Sequence, residues 1–216
     1  CVSPQHQTKM RITIPWCNYM KRYFDPVEYS YNYTYVGNNY EREDPFAKYY
    51  TGPSAALREQ GVQTTIYGNW LNKSPERIDP AELLAQTPNV AFGPRLAYKD
   101  IFKVLNESIT VTHITKPAYT PYGNITGRFF EAIKSNVPAL VPVEFKHAIP
   151  VGLSDGTLLV ESTEDVVKKV KWISTLSASE RKTLVDAQEA ALRTVIDPSP
   201  QYRVSLIEHL IGDWNG

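Results

Sequence analysis

The chain has 216 residues, 42% of them hydrophobic and 21% charged, with 23 Lys and Arg balanced by 23 Asp and Glu. This composition fits one folded domain with an extension, and the balanced charge argues against a strongly basic nucleic-acid binder or a membrane-surface protein. No apolar run approaches the roughly 20 residues of a membrane helix, and no basic segment leads into an apolar signal-like stretch. Cys1 and Cys17 are the two cysteines. They make neither a disulfide framework nor a zinc site, and are read as reduced thiols of a cytoplasmic protein. The chain begins at Cys1 and not at a methionine, so an upstream part, removed or separate, is expected.

Residues 1–28 read as a connector, because they carry Pro4, Pro15 and Pro26, many aromatics and no helical period. Order is expected from the run Tyr29-Ser30-Tyr31-Asn32-Tyr33-Thr34-Tyr35-Val36, an aromatic and β-branched strand ending at Gly37. A helix over residues 44–50 and another over 53–60 follow, divided at Gly52-Pro53. Further strands are expected at 62–67, 90–92, 109–114, 139–143 and 157–161, with helices at 98–107 and 124–134. Ser162 with Asp165 opens a helix to Ile173, whose Val166, Val167 and Val170 share one face. Ser177 with Glu180 is a better capping box and opens a helix to about residue 195, before Asp197-Pro198-Ser199-Pro200. A last helix is expected at 202–211. Strands alternating with helices argue for a doubly wound α/β domain over 29–196, a parallel sheet covered on both faces, with 197–216 as a C-terminal helix and tail.

In such sheets ligands bind outside the carboxyl ends of the strands. Three strand-end loops carry groups suited to an anion. Gly37-Asn38-Asn39-Tyr40-Glu41-Arg42 pairs a glycine with an arginine able to fork onto phosphate; the alternative is a surface turn. Gly93-Pro94-Arg95 can offer backbone groups and a guanidinium to a flat ring, or be an ordinary turn. Tyr122-Gly123-Asn124-Ile125-Thr126-Gly127-Arg128 opens a helix, where free amides and the macrodipole favour a diphosphate. Arg128 and Glu131 stand three apart on that helix. They could clamp a nucleotide, the arginine on phosphate and the carboxylate on ribose hydroxyls, or form an exposed ion pair. Ile125, Phe129 and Ile133 repeat at helical spacing and read as core. No metal-ligand spacing links His6, His113, His147 and His209, and no Ser-His-Asp order, Walker-type loop or HExxH motif occurs. His113 alone stands at a strand end.

The landmarks, in order, are a strand ending at Gly37 with Arg42 after it, Ile66-Tyr67-Gly68-Asn69, Phe92-Gly93, and Ile125-Thr126-x-Arg128-x-x-Glu131 before Ala139-Leu140-Val141. In this order the chain resembles the C-terminal, Rossmann-like half of GT-B-fold glycosyltransferases, most closely the DNA β-glucosyltransferases of T-even bacteriophages, over about residues 31–194. The resemblance implies a nucleotide-diphosphate sugar as donor, most of all a UDP-sugar, with no tightly bound cofactor, no protein metal site and room for a divalent cation. It places Arg128, Arg42, Gly37, Thr126 and Gly127 on the diphosphate, Glu131 on the ribose, and Gly93, Pro94 and Arg95 at the base. His113 and Tyr119 fall near the donor sugar. Two departures stand out: Gly123 replaces an acidic residue of many retaining members, and Ile114-Thr115-Lys116-Pro117-Ala118-Tyr119 holds no acid.

By the same resemblance the general base and acceptor site belong to an N-terminal domain upstream or on a separate chain, so no catalytic residue is assigned. The expected activity is hexose transfer to a hydroxylated base in double-stranded DNA, in the host cytoplasm if phage-encoded. Two other readings stay open: transfer to protein or a surface glycan, and a non-catalytic nucleotide-binding module.

Overall fold

Strand β1 (Asn32–Val36) alternates its side chains between two cores, Tyr33 and Tyr35 on one face and Val36 on the other. The computed structural model describes residues 22–28, 30–72, 78–122, 125–145 and 156–193. After β1 come α1 (Glu43–Phe46), a π turn (Ala47–Thr51), α2 (Gly52–Glu59), β2 (Gln63–Tyr67), α3 (Pro80–Gln86), β3 (Val90–Gly93), α4 (Tyr98–Asn106) and β4 (Ser108–Thr112). A 3-10 turn (Pro117–Tyr122), α5 (Gly127–Lys134), β5 (Ala139–Pro142), a second 3-10 turn (Val143–Phe145), β6 (Leu159–Val160), α6 (Thr163–Ser174) and α7 (Ala178–Arg193) complete the described residues. The strand order is β3-β2-β1-β4-β5-β6, and every pairing is parallel. This is the doubly wound Rossmann-like sheet expected from the alternation of elements.

Both faces of the sheet are buried, as parallel strands require. Tyr33, Tyr50, Leu57, Ile66, Ile109, Leu140, Val166 and Ile173 fill one core, and Val36, Leu105, Val111, Phe129, Ile133, Val141 and Val185 fill the other. The stripe Val166, Val170 and Ile173 is wholly buried, with Val167 packed beside it. Phe129 and Ile133 of α5 are likewise core, with Ile125 against them. Among the described residues no helix is long and apolar enough to cross a membrane.

Several boundaries differ from the sequence expectation for physical reasons. No break occurs at Gly52-Pro53: helical turns run through from Glu43 to Glu59. Pro53 has no N–H for the carbonyl four residues back, that of Tyr49, and this carbonyl accepts from the Tyr33 hydroxyl at 2.8 Å. A Cβ on Gly52 would stand 2.9 Å from Thr163 Oγ1, so glycine lets α6 start close beside it. Helix α3 was not expected, although Asp79 caps it from Ala81 N at 2.8 Å and Pro80 takes its first position. Helix α5 begins at Gly127, three residues later than expected, because Thr126 is extended (φ −88, ψ 164). Residues 1–21, Gly123, Asn124, His147, Asp197-Pro198-Ser199-Pro200 and the helix expected at 202–211 lie outside the described residues.

The described end of the expected connector is fastened to the domain. Arg22 forms ion pairs with Asp186 at 2.6 Å and Glu189 at 2.9 Å, Asn106 Nδ2 donates to Asp25 O at 2.9 Å, and Arg181 donates to the Val27 and Glu28 carbonyls.

One irregularity positions the site. β1 and β4 pair at Asn32–Ser108 and Tyr33–Thr110, with a register shift between the two pairs. Farther along, the Tyr50 side chain serves the edge of β4: its hydroxyl accepts from Thr112 N and donates to Thr112 O, both at 2.7 Å. The same hydroxyl lies 3.4 Å from Thr34 O on β1. The two central strands are thus bridged by a buried phenol at their carboxyl ends, where the strand order reverses.

Candidate functional site

The loops after β1 and β2 are locked together. Gly37 N donates to Tyr67 O at 2.9 Å, Trp70 Nε1 donates to Gly37 O at 2.6 Å, and Asn69 N donates to Asn38 Oδ1 at 3.1 Å. Gly68 has φ +139, and a Cβ there would collide with Gly37 O, so only glycine permits this close approach. Arg42 turns back over its own loop, Nη1 donating to Asn38 O at 3.0 Å.

Opposite this loop stands the amino end of α5. Thr126 makes no side-chain capping bond, and its buried Oγ1 has no partner among the described residues. Above Gly127 the nearest atom to a Cβ would be Glu131 Oε1 at 3.9 Å, which leaves the first turn open to a ligand. Arg128 Nη1 donates to Glu131 Oε2, with the arginine side chain 37% exposed and the glutamate 12%. Burial pushes the Glu131 carboxyl above its ordinary range, while Arg128 and then Lys134 pull it down. The sequence left open an ion pair or a clamp. The ion pair is formed, and it faces a cleft.

That cleft, of about 430 Å³, lies over the switch point between β1 and β4 and is lined by Gly37, Asn38, Arg42, Tyr98, Ile114, Thr126, Gly127, Arg128 and Glu131. Tyr35 lies in its lining. Burial raises the Tyr35 phenol, with the positive charges of Arg42 and Arg128 opposing the shift. A smaller cleft of about 190 Å³ continues toward β2 and β3 through the shared Gly37, Asn38, Tyr98 and Arg128, and reaches Tyr67, Gly68 and Arg95.

The structure therefore brings Gly37, Arg42, Thr126, Gly127, Arg128 and Glu131 together, with Arg95 on the adjoining wall. Gly93 packs beneath the Tyr67 ring, where any Cβ would clash, and Pro94 is exposed outside the lining of both clefts. His113 is 2% exposed, packed edge-on to Phe129 and Phe145, with neither ring nitrogen partnered among the described residues. Burial, then the charge of Arg42, pushes it down to about 3. It is a neutral core imidazole and lines neither cleft. Tyr119 sits in the 3-10 turn, also outside both linings. Among the described residues no three His, Cys, Asp or Glu side chains group to hold a metal ion. The main cleft has one carboxylate in its lining, already paired with Arg128.

Sequence reading missed Tyr35 and Tyr98 as lining residues. Tyr98 gave a signal, an aromatic opening a helix after Gly93-Pro94-Arg95, but the strand order that carries it to Arg128 is a tertiary fact.

A sequence profile of the family described as "Glycosyl transferase-like" matches residues 54–209. No curated protein matches the chain. Among solved structures, T4 phage β-glucosyltransferase superposes with a TM-score of 0.57 at 18% identity, over 80% of this chain and 48% of that one. TarM gives 0.57 at 13% identity over 92% and 38%. The catalytic domain of cholesterol-α-glucosyltransferase from Helicobacter pylori gives 0.54 at 15% identity over 76% and 99%. The chain spans about half the length of the phage structures it matches. With the profile covering residues 54–209, and these structures superposing on the chain, the chain belongs to the glycosyl transferase-like family and has the Rossmann-like fold of GT-B glycosyltransferases.

Proposed function

We propose that this chain is the C-terminal, donor-binding half of a two-domain cytoplasmic glycosyltransferase and holds a nucleotide-diphosphate sugar, a UDP-sugar above others, in the cleft over the switch point. The observation that carries this reading is the convergence of Arg128 and Glu131, one turn apart, at the open amino end of α5 inside that cleft. The helix end and the guanidinium stabilise a diphosphate, and the Glu131 carboxylate accepts from vicinal ribose hydroxyls. Arg42 and the Gly37 loop bound the phosphates from the other side. The adjoining cleft beside Arg95 takes the base, with Gly93 and Pro94 setting the turn beneath it. Among the described residues no metal-holding cluster of side chains lines this cleft, so a divalent cation accompanying the donor would be held mainly by its phosphates.

The acceptor in this reading is a hydroxylated base in double-stranded DNA, bound by an N-terminal domain that also supplies the general base. T4 phage β-glucosyltransferase has been solved in complex with UDP-glucose, which supports the donor class. Two measurements test the reading. Glu131→Ala weakens UDP binding by about 1–3 kcal/mol in calorimetric titration, and unchanged affinity rejects the cleft as the donor site. Transfer of label from UDP-glucose to duplex DNA carrying hydroxylated bases, by the full-length protein, tests the acceptor. UDP binding without transfer to DNA, but with transfer to a protein or glycan, overturns that part alone.

A further inference from the structure

A third opening lies where β4 and β5 end. It has a volume of about 260 Å³ and meets the main cleft at Ile114, which lines both. Ile114, Pro117, Pro142 and Phe145 give it apolar walls. Asp44, Thr115 and Thr120 are polar residues of the lining, and a linked group stands beside them: Lys48 Nζ lies 3.2 Å from Glu144 Oε1, and the Tyr49 hydroxyl reaches the two Glu144 oxygens at 3.1 and 3.2 Å. The Lys48 and Glu144 side chains are each 40% exposed, so both retain hydrogen-bonding capacity toward the cleft. Lys48 and Tyr49 belong to the π turn, an irregularity common at functional sites.

Along the carboxyl edge of the sheet the three openings follow one another. The cleft beside Arg95 lies at the ends of β1 and β2, the main cleft at β1 and β4, and the third at β4 and β5. A nucleotide-diphosphate sugar is a linear ligand in the order base, ribose, diphosphate, sugar. With the base at Arg95 and the diphosphate at Arg128, its sugar arrives beyond Ile114.

We propose that this third cleft receives the transferred sugar, a single neutral pyranose, with Glu144 accepting from its hydroxyls and Lys48 donating to them. The inference rests on the donor reading above. The apolar walls complement the C–H face of a pyranose, and a paired cation and carboxylate suit hydroxyl groups, which both donate and accept. With Asp44 and Glu144 against the single cation Lys48 in the described lining, a phosphate or carboxylate substituent is disfavoured. The volume falls below the roughly 300–1,000 Å³ of sites for drug-sized ligands, as one ring requires. Sugar recognition thus moves from His113 and Tyr119, which line none of these clefts, to residues after β1 and β5.

Calorimetric titration of the full chain with UDP and with UDP-glucose tests this. Glu144→Gln and Lys48→Met each weaken UDP-glucose by about 5- to 20-fold and leave UDP within about twofold. UDP affinity serves as the folding control, because both side chains are partly exposed. Equal losses for the two ligands, or no loss for either, overturn the sugar assignment while the donor reading stands. Failure of UDP to bind the unaltered chain overturns the donor reading, and the sugar assignment with it.

Discussion

Half-buried Glu131 and buried His113 are titratable groups near one helix end, and burial moves them in opposite directions. Glu131 is raised, so its folded-state proton is retained at low pH and lost as pH rises, with some loss of stability. His113 falls from 6.5 to about 3. Its neutral form therefore contributes stability that is fully present above about pH 6.5 and is lost as pH falls toward 3. Between pH 6.5 and 4 this loss is about 3 kcal/mol. Urea unfolding across that range shows the decline in the unaltered chain, and His113→Phe, which suits the pocket between Phe129 and Phe145, flattens it by this amount. Parallel stability curves for the two proteins contradict the assignment. At this scale the sequence was informative where chemistry repeats locally: the Arg128–Glu131 ion pair followed from spacing along one helix, while the nucleotide clamp rested on the resemblance. His113 was placed near a sugar because it stands at a strand end, and which way a strand-end side chain turns depends on packing.

Among the elements, the pair β1 and β4 decides where a ligand can enter. Tyr50 satisfies both backbone groups of Thr112 with one hydroxyl, and Tyr33 holds the carbonyl released by Pro53 while also bonding Thr112 Oγ1. Tyr50→Phe leaves a buried N–H and C=O unserved and destabilises the domain by about 1–3 kcal/mol, read by chemical denaturation. A change below a few tenths of a kcal/mol would show that the bridge is dispensable. The capping box at Ser177 and Glu180 was legible because it is a local hydrogen-bond pattern, and it is formed in both directions, at 3.2 and 2.8 Å. Asp79-Pro80 carried an equally local signal for α3 that was passed over. The unbroken passage through Gly52-Pro53 was not legible, since it depends on a tyrosine from β1 and on the approach of α6.

For the whole molecule, alternation of strands and helices was enough to read a doubly wound sheet, and collinear landmarks were enough to place it among GT-B folds. The order of strands was not in the pattern. It is this order that sets the loop after β1 against the helix after β4 and aligns three clefts along one edge. The division of labour within that row can be measured by comparing UDP with uridine. Calorimetry on the full chain and on Arg128→Ala separates the diphosphate contribution from that of the nucleoside. Removing the guanidinium weakens UDP by about 10- to 100-fold and leaves uridine within about twofold, because the lost partner is the diphosphate. Equal affinity of UDP for both proteins, or an equal loss for UDP and uridine, would contradict a diphosphate site at the amino end of α5.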